Sequence, residues 1–283
     1  MTKHCALSLL FALLTLGCPA GRPPEGTQRI PPPATQRFDS FGQVRVVSVG
    51  RHLDCETMVA SIPCSEETRR SLTPIRQSMM GSSMVVAHDR GKTYVLTAQH
   101  VCSPPGLVDT VVFPGVRQTV MARMEWETKF AVVDISGTMR VAVPVIQDVR
   151  NDMCVLEVAG VWGRPVPLAP RPLSMGETAY SVAAPAGIFD VGMVPIFVGI
   201  YSGATTSLSD DELVSRPDTL SEMHLYTFPS RPGSSGSAVL TPAGEIVGVV
   251  HSTVPSVHGL SIASSWASTR VILHRLARHI SDR

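Results

Sequence analysis

The sequence predicts an all-β fold, two six-stranded antiparallel β-barrels followed by a C-terminal α-helix. Three observations lead there. Valine-rich segments of strand length alternate with Gly, Pro, Asp and Asn turns from about residue 43 to residue 263. A proline-broken stretch, Gly163 to Pro170, divides these segments into two series. Near the C-terminus, Ala267 to Arg278 is the one segment with a convincing helical period.

The first series is expected at Val44–Val49, Ser83–Ala87, Thr93–Thr97, Asp109–Phe113, Gln118–Trp126, Lys129–Ile135, Met139–Val145 and Met153–Val158. The second is expected at Thr178–Ala183, Val191–Tyr201, His224–Phe228, Ala238–Leu240, Glu245–His251 and Leu260–Ala263. Short turn-forming loops separate most of them. In the terminal helix Val271, Leu273 and Leu276 make one apolar stripe, and Arg and His load the last turns, where the helix dipole favours cations.

The N-terminus has a different character. Lys3 and His4 precede an apolar run from Ala6 to Leu16, broken only by Ser8 and Thr15 and stopped by Cys18-Pro19. A bilayer-spanning helix needs about 20 apolar residues, so this shorter run has the layout of an export signal. Leu14-Thr15-Leu16-Gly17-Cys18 resembles a bacterial lipobox, although Thr15 stands where that motif prefers leucine. The resemblance implies acylation of the Cys18 thiol and a membrane contact through the lipid; an ordinarily cleaved, secreted chain is the alternative. The expected organisation is a leader over 1–18, a proline-rich linker over 19–40, a first barrel over 41–162 and a second barrel with the helix over 163–283. The linker reads equally as an extended tether or as a leader without a role.

Composition excludes several functions. There are 24 basic and 23 acidic side chains, a net charge of +1, which supplies neither a nucleic-acid footprint nor a polybasic membrane patch. The nine histidines are scattered, and His274 and His279 are too far apart in register to share a helix face well. No metal and no cofactor is expected.

Three islands carry chemistry. Tyr94 to Val101 is an apolar strand ending at His100; Asn151 to Val158 is an apolar strand opened by Asp152; Gly233-Ser234-Ser235-Gly236-Ser237 runs directly into another strand. A serine hydroxyl is a poor nucleophile unless a base takes its proton as it attacks. Imidazole titrates near neutrality, and a buried carboxylate fixes its tautomer and stabilises the imidazolium. Glycines beside the serine allow backbone shapes in which N–H groups converge on one oxygen, so Gly233 and Ser235 are candidate oxyanion donors. Asp134 and Asp148 are competing acids.

These islands resemble the trypsin/chymotrypsin-like serine protease superfamily, most nearly its bacterial HtrA-type and glutamyl-endopeptidase-type branches. Thr97-Ala98-Gln99-His100-Val101 is similar to the family's TAAHV, and Asp152-Met153-Cys154-Val155-Leu156 to its DIAVL. Pro232 to Ser237, with Gly244 to Val249 following, is similar to its PGNSGGP and GEVIGI. The resemblance implies a chymotrypsin-like double barrel and a peptidase with Ser235 as nucleophile, His100 as base and Asp152 as its orienting acid. A polypeptide is then the substrate. No PDZ domain is expected after the helix, and a catalytically silent binding or scaffold protein on the same fold is the alternative.

Departures from the family bear on activation and specificity. Ser234 replaces the acid that pairs with a new N-terminus in trypsin, so a trypsin-style zymogen switch is not expected. Ser237 stands for the second glycine and Ala238 for the usual proline. By resemblance the pocket floor lies near Pro229, where no acid serves an Arg or Lys side chain, and a small or apolar residue is expected there. His251 falls one residue later than the glutamate-recognising histidine, an offset that turns it to the other strand face. Ser252 is expected to offer its backbone edge to substrate, and Ser261 to lie on the far wall.

Cys55, Cys64, Cys102 and Cys154 remain after the leader, an even number in an exported chain. Cys102 follows His100 by two residues and Cys154 follows Asp152 by two, so if those residues meet, their cysteines are carried together. The expected bridges are Cys102–Cys154 and the local Cys55–Cys64; buried free thiols are the alternative.

Overall fold

A computed structural model describes residues 36–52, 55–57, 60–62, 74–103, 108–112, 119–206, 222–254 and 257–283. The leader, Cys18, nearly all of the linker and Cys64 lie outside the described residues, as does the side chain of Cys55.

In chain order the first half comprises β1 (Phe41–His52), a short hairpin of β2 (Cys55–Thr57) and β3 (Ala60–Ile62), β4 (Ile75–Asp89), β5 (Lys92–Thr97), the one-turn helix α1 (Gln99–Cys102), β6 (Val108–Val112), β7 (Thr119–Asp134), β8 (Met139–Asp148) and β9 (Met153–Ala159). Strands β1, β4, β5, β9, β8 and β7 form an antiparallel ring closed by β7 on β1, and β6 pairs with the far end of β7. The second half comprises β10 (Thr178–Val182), β11 (Ile196–Thr205), β12 (Met223–Tyr226), β13 (Ala238–Leu240), β14 (Ile246–Thr253), β15 (Ser261–Ala263) and helix α2 (Trp266–Ser281). Its six strands close into a barrel in the order β10-β11-β12-β15-β14-β13. The two expected barrels and the terminal helix are present.

Beyond the unexpected β2–β3 hairpin, the unexpected helix α1 and the earlier start of β4 at Ile75, two elements differ from the sequence expectation. The segments at 118–126 and 129–135 are one strand, β7, because β1 pairs with it continuously through Glu127 opposite Val49 and Thr128 opposite Ser48. The polar interruption is absorbed at that rung: the Ser48 and Thr128 hydroxyls lie 2.9 Å apart, while Glu127 stays exposed and pairs with Lys129. Strand β11 starts at Ile196 rather than Val191, since Asp190 and Met193 close a turn on each other with Gly192 at φ 74°.

Each barrel buries its own valine-rich interior, with Val44, Val95, Val132 and Leu156 in the first and Tyr226, Phe228, Val239 and Val247 in the second. Phe41 and Met84 pack with Tyr180, Leu240 and Ile246 across the barrels. Helix α2 is started by Ser265, whose hydroxyl accepts the Ser268 N–H. It lays Ile272 and Leu276 against Tyr94, Met153 and Val249, so the helix touches strands of both halves. Replacing the fully buried Ile272 by Ala should lower unfolding free energy by about 2–5 kcal/mol, measured as a shifted urea midpoint with unchanged slope.

Candidate active site

His100 lies in α1, immediately beyond the end of β5. Asp152 opens β9 in a left-handed conformation, φ 48° and ψ 50°, which costs a non-glycine residue about 1–3 kcal/mol. The preceding turn holds it there. Asp148 accepts the Asn151 N–H and side-chain amide, and Asn151 Oδ1 accepts the hydroxyl of Ser268 from the first turn of α2.

The two residues meet. His100 Nδ1–H donates to Asp152 Oδ2 at 2.7 Å, and the His100 backbone N–H donates to Oδ1 at 2.8 Å. Asp152 has no exposed side-chain surface, whereas the imidazole keeps about a third of its own. Burial alone would push the Asp152 carboxyl up. The hydrogen bond and charge of His100, the charge of His251 and the backbone N–H outweigh it and hold the group below the usual carboxylate range. The rival acids have other duties: Asp134 binds Ser136, Thr138 and Arg140 in its own turn, and Asp148 caps the turn before Asp152.

Ser235 lines the same cleft as His100, a space of about 200 Å³ whose walls include Met79, Met80, Pro232, Val250, His251 and Ser252. No hydrogen bond joins the Ser235 hydroxyl to His100 in this structure; such contacts often tighten only when substrate binds. The loop around Ser235 admits no side chain at its glycines. Gly236 has φ 90°, and a Cβ there would come within 2.1 Å of Ser82 O and Thr97 Oγ1. Gly233 has φ 98°, and a Cβ there would meet Ala184 O at 2.5 Å.

Ser82, which the sequence did not single out, stitches this loop to the first barrel. Its N–H donates to Ser235 O at 2.7 Å, its hydroxyl donates to Gly233 O at 2.8 Å, and the same hydroxyl accepts the Ala184 N–H at 3.0 Å. Nothing in a serine on a valine-rich strand distinguishes it beforehand; the contacts come from residues more than a hundred positions away. Ser234 closes the loop locally, its Oγ accepting the Arg231 N–H, and Ser237 accepts the hydroxyl of Ser181.

The remaining candidates are distributed. Ser252 lines the cleft, while Pro229 is exposed and the adjacent Ser230 is the residue that reaches the wall. Ser261 is buried and donates to Phe228 O at 2.6 Å, a bond that ties the start of β15 to the segment just past β12. His251 occupies a bulge in β14, between the rungs Val250–Ala263 and Ser252–Ile262. It is 1% exposed, and neither ring nitrogen has a hydrogen-bond partner of good geometry. Burial holds its pKa down at about 4, against the pull of the Asp152 charge and with the repulsion of His100. Cys102 and Cys154 are joined in a disulfide, as the spacing implied.

Comparisons with known proteins bear on the family and the fold. The trypsin-like peptidase domain matches residues 81–249, more than half of the chain. The chain therefore belongs to the trypsin-like peptidases. Its fold is similar to that of HtrA-type serine proteases. The HtrA-type protease AlgW with a decapeptide is 16% identical, with a TM-score of 0.58 over 89% of this chain and 68% of that one. An inactive Ser-to-Ala mutant of Rv3671c from M. tuberculosis is 14% identical, with a TM-score of 0.54 over 88% and 91%. A serine endoprotease from Yersinia pestis is 16% identical, with a TM-score of 0.51 over 87% and 65%. Comparison with curated protein sequences gives no match.

The buried histidine makes a pH prediction. Between its ordinary value of 6.5 and about 4, the unfolded chain binds a proton at His251 that the folded protein refuses. Stability from this group is therefore fully present above that window and falls as pH drops through it, by about 3 kcal/mol in all. Urea unfolding of wild type and His251→Gln at pH 7 and pH 4 checks this: the variant should lose less stability than wild type on acidification.

Proposed function

We propose that the protein is an exported serine endopeptidase in which Ser235 attacks the peptide carbonyl, His100 takes and returns the proton, and Asp152 orients the imidazole and stabilises the imidazolium that forms. The observation that carries this reading is the 2.7 Å bond from His100 Nδ1–H to a fully buried carboxylate, with Ser235 and the exposed edge of His100 on one cleft. With Nδ1 committed as donor, the neutral ring leaves Nε2 as the acceptor that a serine proton needs.

Backbone geometry supports an oxyanion site at Gly233 and Ser235. The Ala186 N–H holds Pro232 O at 2.7 Å, and the Ser237 N–H holds Ser234 O at 3.0 Å. In a trans peptide the N–H points opposite to the C=O, so the Gly233 and Ser235 N–H groups point away from those anchors. Among the described residues neither N–H has an acceptor within the protein. The tetrahedral oxyanion would take both, leaving an acyl-enzyme on Ser235 that water then hydrolyses.

Among the described residues the cleft walls carry Met79, Met80, Pro232 and Val250 with Arg231 and no carboxylate, which supports a small or apolar side chain before the scissile bond over a basic one. Fluorophosphonate labelling tests the mechanism directly. Wild type should label, Ser235→Ala should not, and Asp152→Asn should label about 10⁴-fold more slowly; equal labelling of wild type and Ser235→Ala would sink the enzyme reading. The N-terminal run supports export, with acylated Cys18 as a lipid anchor. Intact-mass analysis of the mature N-terminus should find a lipid-modified Cys18, and an unmodified start downstream of it would refute anchoring.

A further inference from the structure

We infer that the Cys102–Cys154 disulfide is a positioning device for the His100–Asp152 pair, so that full acid–base competence requires the bridge to have been formed when the chain folded. The inference rests on the roles proposed above for those two residues.

The argument begins where the sheet stops. The β5–β9 ladder runs from Lys92–Ala159 to Thr97–Cys154, and Thr97 is the last residue of β5. His100 and Asp152 both lie past this final rung. Backbone pairing therefore positions neither residue against the other. Helix α1 supplies little stiffness, for it has four residues and no side-chain N-cap. A helix of one turn has only just met the cost of nucleation.

Within the segments, the Gln99–Ser103 bonds brace α1 and Asp148 and Asn151 hold the turn of Asp152; between them run the packing of Val101 and Cys102 in the first core, the two bonds to Asp152, and the disulfide. Residue spacing makes the last two act in parallel. His100 and Cys102 are on one segment, Asp152 and Cys154 on the other, and both links join residues 52 apart. The hydrogen-bonded link and the covalent link are thus successive connections between the same two segments, and the covalent one is at the point where the ladder ends. It limits rotation of α1 about the end of β5, the motion that would withdraw Nδ1 from Oδ2.

Cys102 and Cys154 are 1% and 0% exposed, so a reductant does not reach the sulfurs of the folded protein readily. The bridge is accordingly set during folding, when two thiols lose two protons and two electrons to a disulfide oxidant, and it is protected afterwards.

Wild type and a Cys102→Ala/Cys154→Ala variant should be compared by proton NMR for the strongly deshielded Nδ1–H of a histidine bonded to a carboxylate, and by labelling rate and steady-state kinetics. The variant is expected to lose or broaden that resonance and to label roughly 10- to 100-fold more slowly. KM should stay within about twofold, because substrate contacts are not removed. Wild type folded with a phosphine reductant should behave like the variant, and should recover both signals when unfolded and refolded with glutathione disulfide, which is reduced to two glutathiones. A variant or reduced protein that keeps the resonance and the wild-type rate while melting earlier would make the bridge a stability element and overturn the inference. Failure of both to fold would overturn it equally, by making the bridge a folding requirement. A wild type that shows the resonance, loses it without the bridge and never labels would defeat the protease reading alone.

Discussion

A carboxylate with no exposed surface survives ionised only if its oxygens are satisfied, and the centre of this molecule is arranged around that requirement at Asp152. The backbone and imidazole of His100 take one oxygen each. The turn that delivers the acid is fixed by Asp148 and Asn151, and Asn151 is held by Ser268 of the terminal helix. Helix α2 is thus coupled to the site although it contributes no residue to the cleft. Its Ile272 and Leu276 stripe and its Ser268 hydroxyl act on the same strand, β9, the one through packing and the other through the turn before it.

The cleft lies where the barrels meet, and its second half depends on close backbone approach. Gly233 and Gly236 let the loop carrying Ser235 come within contact of the 184–187 turn on one side and of Ser82 and Thr97 on the other. Ser82 then satisfies three backbone groups of the second barrel from a strand of the first. Such a joint is costly to disturb, since removing one hydroxyl leaves a buried carbonyl and a buried N–H unpaired. Electrostatics add a constraint of the same kind. His251 resists protonation because burial opposes its charged form more strongly than the Asp152 carboxylate favours it.

Much of this was legible in the sequence because it is local. Period-two patterning announced the strands, and glycines beside Ser235 announced a loop of unusual backbone shape. The spacing of His100, Cys102, Asp152 and Cys154 announced which segments would meet. Failures arose where a neighbour overrules local signals. Glu127 and Thr128 look like a break until β1 pairs across them.

By itself, then, the sequence determined the all-β class, the two strand series with their terminal helix, the three chemical islands and the bridge between two of them. The class, the strand series and the islands follow from side-chain periodicity and from short motifs, whose physics is complete within a few residues; the bridge followed only on the condition that His100 and Asp152 meet. Only the tertiary structure decided that β7 is unbroken and that Ser82 binds the serine loop. It alone decided that a bulge in β14 buries His251, and that among the described residues the Gly233 and Ser235 N–H groups have no protein acceptor. Those outcomes depend on register, closure and burial, quantities set by partners more than a hundred residues away or across a strand pair. No window of the chain contains them.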